Sequence, residues 1–251
     1  MDGTGIPVVR KECAGRPGKQ DGQPAHTREV KLGCVFTQTT VDAEGYPVRD
    51  EDSTTYVGAI EGCEEFGRRL YAEAWRRGWA RADKKAVVGD GSEWIWNQAA
   101  LHFPDATFIV DKYHSREHLW ILAGKVYAQD EAARKRWVMV EQDKLDEGKI
   151  EEIVATLRCL EAAHSGLAGE IEKEVHYFDS NKDRMRYAEF RKQGLFVGSG
   201  VIEAGCKTLI GRLKQSGMFW TVRGANAIIA LRCCQLSGKF EDYWEARRER
   251  A

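Results

Sequence analysis

The first third of the chain alternates between short runs of β-branched residues and clusters of turn-forming residues. The β-branched runs cover 6–10, 30–41 and 54–60, and polar connections rich in Gly, Pro and Asp lie between them over 15–24 and 42–53. Such runs, bounded by such clusters, are typical of strands joined by loops. The pattern predicts three antiparallel strands, with a solvated hairpin loop over 15–24.

Apolar positions change to a helical period after this region. Phe66, Leu70, Ala74 and Trp75 recur at helical spacing among Arg and Glu, which predicts an amphipathic helix over 61–81. Their spacing places all four on the buried face of that helix.

Two short apolar runs then flank a further helix. The first run, 85–91, stops at Asp90 between two glycines, as a buried strand does when it ends in a tight turn. Ser92 is the expected N-cap of a helix over 93–103, and 106–110 is the expected second strand. This alternation predicts an α/β fold with a mixed sheet and helices on its faces.

The remaining chain is mostly helical in period. The stretch 115–193 is charged and predicts an all-helical insertion with breaks near 146–148 and 165–166. Further helices are predicted over 201–215 and 224–236.

Composition indicates a globular chain. Its 251 residues are 43% hydrophobic and 31% charged, enough for a substantial core. No apolar run reaches the roughly 18 residues that span a bilayer, and no secretory leader opens the sequence. The seven scattered cysteines lack C-x-x-C spacing and are interpreted as reduced thiols, so we expect a cytoplasmic protein.

The net charge of -1 conceals a basic segment near the C-terminus. From 204 to 240 there is no Asp or Glu. Six basic residues lie in this segment: Lys207, Arg212, Lys214, Arg223, Arg232 and Lys239. A polyanion such as DNA is expected to bind here.

Three carboxylates stand beside glycines at predicted element ends. Asp2 precedes Gly-Thr-Gly, Asp90 follows a strand, and Glu203 opens a helix after Gly-Ser-Gly. If they converge, their repulsion requires cations, and two Mg²⁺ ions roughly 3.5–4 Å apart would suit phosphodiester chemistry. The alternative, favoured for each residue alone, is that the two Asp form turns and Glu203 complements a helix dipole.

The helix that carries Glu203 favours the functional interpretation. Its predicted buried stripe comprises Ile202, Cys206, Leu209 and Leu213. One step round the helix lie Glu203, Lys207, Ile210 and Lys214. The two lysines are therefore placed to hold phosphates beside the carboxylate, and the surface continues through Arg212, Gln215, Trp220 and Arg223. The alternative is a solvated charged face.

Four motifs carry a resemblance to a known family. They are Met-Asp-Gly-Thr-Gly-Ile-Pro-Val-Val, Val-Val-Gly-Asp-Gly, Val-Asp-Lys-Tyr-His and Gly-Leu-Phe-Val-Gly-Ser-Gly-Val-Ile-Glu-Ala-Gly-Cys-Lys-Thr. With these motifs the chain resembles the ISKra group of insertion-sequence transposases from Asp2 to Trp244.

The resemblance implies a ribonuclease H-like fold and a DDE triad of Asp2, Asp90 and Glu203 that binds two Mg²⁺ or Mn²⁺ ions. It divides the chain into a first core part, 1–114, a helical insertion, 115–193, and a last core part, 194–251. The implied activity is cleavage and strand transfer of DNA at insertion-sequence ends. A homo-oligomer bound to transposon-end and target DNA, associated with a prokaryotic nucleoid, is expected.

The motif Asp-Lys-Tyr-His supplies two auxiliary candidates. Asp111 and His114 match an Asp-x-x-His signature of related enzymes, where they would orient DNA or the insertion. The equally weighted alternative is an Asp that caps a helix and a His that makes one hydrogen bond.

Two further functions stay open. Related transposases have more chain before the first Asp, so this chain is expected to have little autonomous activity and could be a DNA-binding remnant. Separately, His114, Glu117 and His118 match the H-x-x-E-H pattern of zinc metallopeptidases, but five-residue patterns arise by chance in charged helices.

Overall fold

The computed structural model describes residues 1–18, 25–215 and 217–248. Most of the hairpin loop expected over 15–24 lies outside these residues. Three strands form an antiparallel sheet in the order β1-β2-β5: β1 (Asp2–Pro7), β2 (Thr27–Val35) and β5 (Thr55–Ala59). The prediction of three antiparallel strands is confirmed, but the bounds of the first are wrong: it covers Asp2–Pro7 and not 6–10, and Arg10–Cys13 forms a 3-10 turn. Between β2 and β5, β3 (Thr40–Val41) pairs with β4 (Pro47–Val48).

The amphipathic helix is α1 (Cys63–Arg76), and it packs against β2. An added Cβ on Gly33 would lie 2.8 Å from Leu70, so only glycine allows this close approach. Phe66, Leu70 and Ala74 are buried as predicted, whereas the placement of Trp75 on the buried face is wrong. Trp75 is 55% exposed because the face of α1 that packs against the core is narrow, and Trp75 lies outside it.

A parallel pair follows, formed by β6 (Ala86–Gly89) and β7 (Thr107–Val110) and connected by α2 (Glu93–His102). The ammonium group of Met1 donates a hydrogen bond to the carbonyl oxygen of Val88 at 2.8 Å. This bond links the start of β1 to β6. The chain is therefore a mixed α/β protein in which the antiparallel trio and the parallel pair meet at β1 and β6.

Helices occupy the middle of the chain. They are α3 (Lys112–Val126), α4 (Glu131–Glu147), α5 (Ile150–Ala163), α6 (Ala168–Asn181) and α7 (Tyr187–Lys192). Gly148, in the left-handed region at φ 77°, ends α4, and a 3-10 turn over 165–167 separates α5 from α6. Both predicted breaks are confirmed, whereas the breaks between α3 and α4 and between α6 and α7 were not predicted.

The C-terminal part contains α8 (Gly200–Gly205), a π-helical turn (Cys206–Ile210), a 3-10 turn (Gly211–Lys214), α9 (Val222–Leu236) and α10 (Phe240–Arg248). The single regular helix expected over 201–215 is wrong. The π turn contains one more residue than a regular α-helical turn, which places Ile210 on the buried side with 0% of its surface exposed. Ile210 therefore does not share the exposed face with Lys207. Helix α10 was not predicted.

The antiparallel sheet lies between two hydrophobic layers. Leu32 of β2 and Ile6 of β1 pack with Leu209 of the π turn and Ile229 of α9. A second cluster joins α1, α2 and the parallel strands to the middle helices, through residues such as Phe66. Among the described residues, no helix is long and apolar enough to cross a membrane.

Candidate active site

Asp2 and Asp90 lie within two residues of one hydrogen bond between neighbouring strands. Met1, which donates this bond, precedes Asp2, and Val88, which accepts it, stands two residues before Asp90. The two strand ends that carry these carboxylates are therefore neighbours, although they are far apart in sequence.

The carboxylate of Asp2 is held at both oxygens. Oδ1 accepts a hydrogen bond from the backbone N–H of Gly3 at 2.6 Å, and Oδ2 accepts one from the thiol of Cys206 at 3.0 Å. Cys206 begins the π turn three residues after Glu203, so this bond joins β1 to the segment that carries Glu203. The buried thiol, with the carboxylate of Asp2 beside it, has a raised pKa and stays protonated as a donor.

Asp90 is shaped by its own turn. Its Oδ1 accepts a hydrogen bond from the N–H of Ser92 at 2.9 Å, and Gly91 adopts φ 99°. Ser92 occupies the N-cap position of α2 as predicted, but its hydroxyl makes no capping hydrogen bond; the Asp90 carboxylate stabilises the turn before the helix through the Ser92 N–H.

Glu203 is exposed in α8, where its N–H donates to the carbonyl of Ser199 at 3.0 Å. Within the described ranges, neither oxygen of its carboxylate takes part in a hydrogen bond or an ion pair, and the same holds for Oδ2 of Asp90. Carboxylate oxygens are the ligands that Mg²⁺ prefers, so these oxygens are suited to coordinating a divalent cation.

The convergence of all three carboxylates stays a prediction. In the part of the chain that the structure describes, no three His, Cys, Asp or Glu side chains are already grouped as a metal site. Two direct links are present. Cys206, which follows α8, bonds to Asp2, and Met1, which precedes Asp2, bonds to Val88 in the strand before Asp90.

Asp111 has a clear structural role. It is 1% exposed and caps α3 by accepting a hydrogen bond from the N–H of His114 at 2.8 Å. Its second carboxylate oxygen accepts one from the N–H of Ser199, and the N–H of Lys112 donates to Val197 at 2.9 Å. Asp111 therefore anchors the segment that enters α8, a connection between residues 88 apart that the sequence did not reveal.

His114 is partly exposed, and its Nδ1 lies 3.5 Å from a Glu117 carboxylate oxygen. Its ring meets that of His118 edge-on at 5.0 Å, while His118 Nδ1 bonds to Glu174 at 2.7 Å. The H-x-x-E-H residues are thus engaged with one another and with α6. No three-donor group of zinc-binding type occurs among them in the described chain.

Helix α6 packs beside Asp90 through Tyr177. The ring of Tyr177 stacks on His118 at 3.9 Å, and its hydroxyl donates to the backbone carbonyl of Asp90 at 3.4 Å. Burial raises the pKa of this hydroxyl well above its usual value, which keeps it protonated. The sequence singled out neither Tyr177 nor Cys206, because each reaches the candidate site only through tertiary packing.

Replacing Gly91 with Ala is expected to destabilise the protein by about 2–3 kcal/mol. An added Cβ would lie 2.7 Å from Cε2 of Tyr177, at a positive φ that L-residues rarely adopt. Gly124→Ala is the matched control, because Gly124 lies inside α3 with open space around it. That variant should gain roughly 0.5–1 kcal/mol. Urea unfolding measures both, and equal midpoints for Gly91→Ala and wild type would contradict the strain argument.

The predicted DNA-contacting residues divide into two groups. Five are exposed: Lys207, Arg212, Lys214, Gln215 and Arg223. Trp220 is half-buried and part of the fold, because its indole donates to Leu213 at 3.0 Å and its carbonyl accepts from Val9 at 2.9 Å. Lys214 donates to the hydroxyl of Thr4 at 2.6 Å, two residues from Asp2.

The other two basic residues of the segment make internal contacts. Arg232 donates to the carbonyls of Thr208 and Leu209, and Lys239 pairs with the buried Glu73 at 2.9 Å. The four exposed basic residues are consequently the ones that remain available to a ligand.

Comparisons with protein-family models, with curated proteins and with solved structures find no match to this chain.

Proposed function

We propose that this chain is the catalytic part of a DDE-type DNA transposase that cleaves and joins phosphodiester bonds at insertion-sequence ends. The proposal includes a ribonuclease H-like core and the triad Asp2, Asp90 and Glu203. It rests on the motifs that resemble the ISKra group and on the links between the segments that carry them. The metallopeptidase alternative has no comparable support from side-chain geometry.

One observation carries the proposal. The thiol of Cys206 bonds to Asp2, and the ammonium of Met1 bonds to Val88, so β1 lies between the segment of Glu203 and the strand of Asp90. An antiparallel trio whose first strand is hydrogen-bonded to a parallel pair supports the proposed ribonuclease H-like core. Strand β1 thereby links the segments that carry the three motifs, which supports the proposed triad.

Residues Asp2, Asp90 and Glu203 would hold two Mg²⁺ or Mn²⁺ ions. When bound, such ions neutralise the carboxylates, activate water or a 3′-hydroxyl and stabilise the leaving oxygen. Among the described residues, one carboxylate oxygen of Asp90 and both of Glu203 have no partner, whereas Oδ2 of Asp2 is engaged by Cys206. Cys206 thus orients Asp2 towards the segment that carries Glu203.

The exposed lysines supply the contact with DNA. Lys207 follows Glu203 by one helical turn, and Lys214 reaches β1 near Asp2. A phosphate held by these ammonium groups therefore lies beside the carboxylates, where their charge offsets the repulsion between carboxylate and phosphate. The helices between Asp90 and Glu203 would act as the family's insertion, and Tyr177 is their contact with Asp90.

The direct test is strand cleavage and strand transfer on DNA that carries the element's ends, with Mg²⁺, with Mn²⁺ and with chelator. Metal-dependent cleavage supports the enzyme. DNA binding without cleavage in any of these conditions would favour the alternative, a DNA-binding remnant. Sedimentation of the DNA complex tests whether it holds more than one copy of the chain.

Replacing Lys207 and Lys214 together with Ala should weaken binding to DNA of any sequence and flatten its salt dependence. Each lost phosphate contact lowers the log-log salt slope by about 0.9 for duplex DNA. Anisotropy titrations at several salt concentrations measure the slope. The control is Lys135→Ala with Lys149→Ala, which removes equal charge from exposed lysines outside the basic segment. Equal slopes for the two double variants would mean that the lysines beside Glu203 form only a solvated face.

A further inference from the structure

The basic segment encloses an apolar groove between the 3-10 turn at 211–214, the chain before α9, and helices α9 and α10. Its volume is about 400 Å³. Its apolar lining includes Trp220, Ile228 and Leu231, and its basic lining residues are Arg212 and Arg232. Arg212 is exposed, and within the described residues its guanidinium makes no ion pair.

The electrostatics of the groove favour an anionic partner. It is built from residues 212–240, inside the segment that contains no Asp or Glu. The lining residues therefore bring no acidic side chain to the rim, where a phosphate would meet the guanidinium of Arg212.

The apolar lining of the groove favours contact with a base of the DNA over contact with its phosphates. Duplex DNA presents phosphates and sugars at its surface, and its bases are stacked and paired inside. An unpaired base offers an aromatic face to Trp220 while its own phosphate stays at the arginine rim. The 3-10 turn that supplies Arg212 follows the π turn after Glu203, so the groove and the candidate carboxylate are carried by one continuous segment.

We propose that this groove binds an unpaired nucleobase of the DNA, with the exposed guanidinium of Arg212 holding the adjoining phosphate. The inference rests on the proposed function and adds to it. Local unpairing of the DNA near the reacting phosphate would expose the base, and the stacking gained in the groove offsets part of the cost of unpairing.

The test compares two duplexes that are identical except for one bulged, unpaired base, in metal-free buffer. Wild type is expected to bind the bulged duplex on the order of tenfold more tightly. Leu231→Glu places a carboxylate in the groove and should bring this ratio close to one. Ala230→Glu adds the same charge at an exposed neighbouring position outside the lining and should keep the ratio.

Leu231→Ala keeps the groove uncharged and reports on folding, because Leu231 is 41% exposed and its truncation is tolerated. An intermediate ratio for this variant, with an unchanged melting temperature, supports the groove. Equal wild-type affinity for the two duplexes overturns the base-binding proposal but leaves the transposase proposal standing. Failure to bind either duplex at low salt contradicts DNA binding itself. A dimer that only Leu231→Glu dissociates, with the bulge preference intact, would assign the groove to a second copy and overturn the proposal.

Discussion

Glu203→Gln is expected to abolish magnesium-dependent cleavage while DNA affinity in metal-free buffer stays equal or rises. The substitution removes the negative charge that binds a cation and keeps the shape of the side chain. Its carboxylate is exposed and free of partners among the described residues, so folding loses nothing measurable. Mutating an outer-shell partner of a metal ligand lowers metal affinity or activity by up to about 100-fold. Removal of a ligand itself should therefore lower cleavage by more than that.

The opposite signs of the two effects identify the role of the residue. In metal-free buffer the carboxylate repels the phosphates that Lys207 and Lys214 attract, and its removal relieves this repulsion. In magnesium the same carboxylate is required for the reaction. Glu245→Gln is the matched control, because Glu245 is exposed in α10 and removes an equal charge away from the site. Cleavage at the wild-type rate by Glu203→Gln would reject the triad.

Asp90→Asn extends the same test to the second strand. The amide oxygen can still accept the hydrogen bond from Ser92, which preserves the turn, while the negative charge at the free oxygen is lost. Mn²⁺ affinity, measured by electron paramagnetic resonance, should fall in both carboxylate variants. A decrease in only one of them would assign the metal to a smaller set of residues.

Asp111→Ala is expected to cost about 2–4 kcal/mol of unfolding free energy and to lower cleavage. Two contributions add: loss of an N-cap, roughly 1 kcal/mol, and loss of the charge-assisted bond from the part-buried Ser199 N–H, roughly 1–3 kcal/mol. The carboxylate is buried and makes both bonds at once, so no water replaces it freely. Release of Ser199 then loosens the entry to α8 and the position of Glu203.

The chain offers a matched control for the capping contribution. Asp130 caps α4 by accepting from the N–H of Ala133 at 2.8 Å, and it is exposed. Asp130→Ala should cost only about 1 kcal/mol. Asp111→Asn keeps an acceptor for the cap and loses the charge-assisted bond to Ser199, so it separates the two contributions. Urea unfolding and amide exchange at Ser199 provide the measurements, and equal losses at 111 and 130 would refute the anchoring role.

Local patterns were sufficient for most elements. The alternating apolar runs placed β1, β2 and β5, and the helical period placed α1 and the breaks around Gly148 and 165–167. These features depend on residues a few positions apart, whose propensity and spacing act within a single element. The same local patterns place the candidate carboxylates at the ends of strands and helices.

Other features arose only from packing. The π turn that buries Ile210 lengthens a helix whose apolar spacing alone looked regular. Trp220 was predicted to contact DNA, yet it also closes the fold against Val9 and Leu213. The burial of a side chain depends on what approaches the element, and a sequence period does not specify that partner.

The sequence by itself determined most of the strands and helices, where the basic segment lies, and which carboxylates stand near glycines. Tertiary structure alone decided that Met1 meets Val88, that Cys206 meets Asp2, and that Asp111 holds Ser199. These bonds connect residues 87, 204 and 88 positions apart. Each depends on the joint packing of two cores around one sheet, because a donor finds its acceptor only after distant elements have buried their apolar faces together.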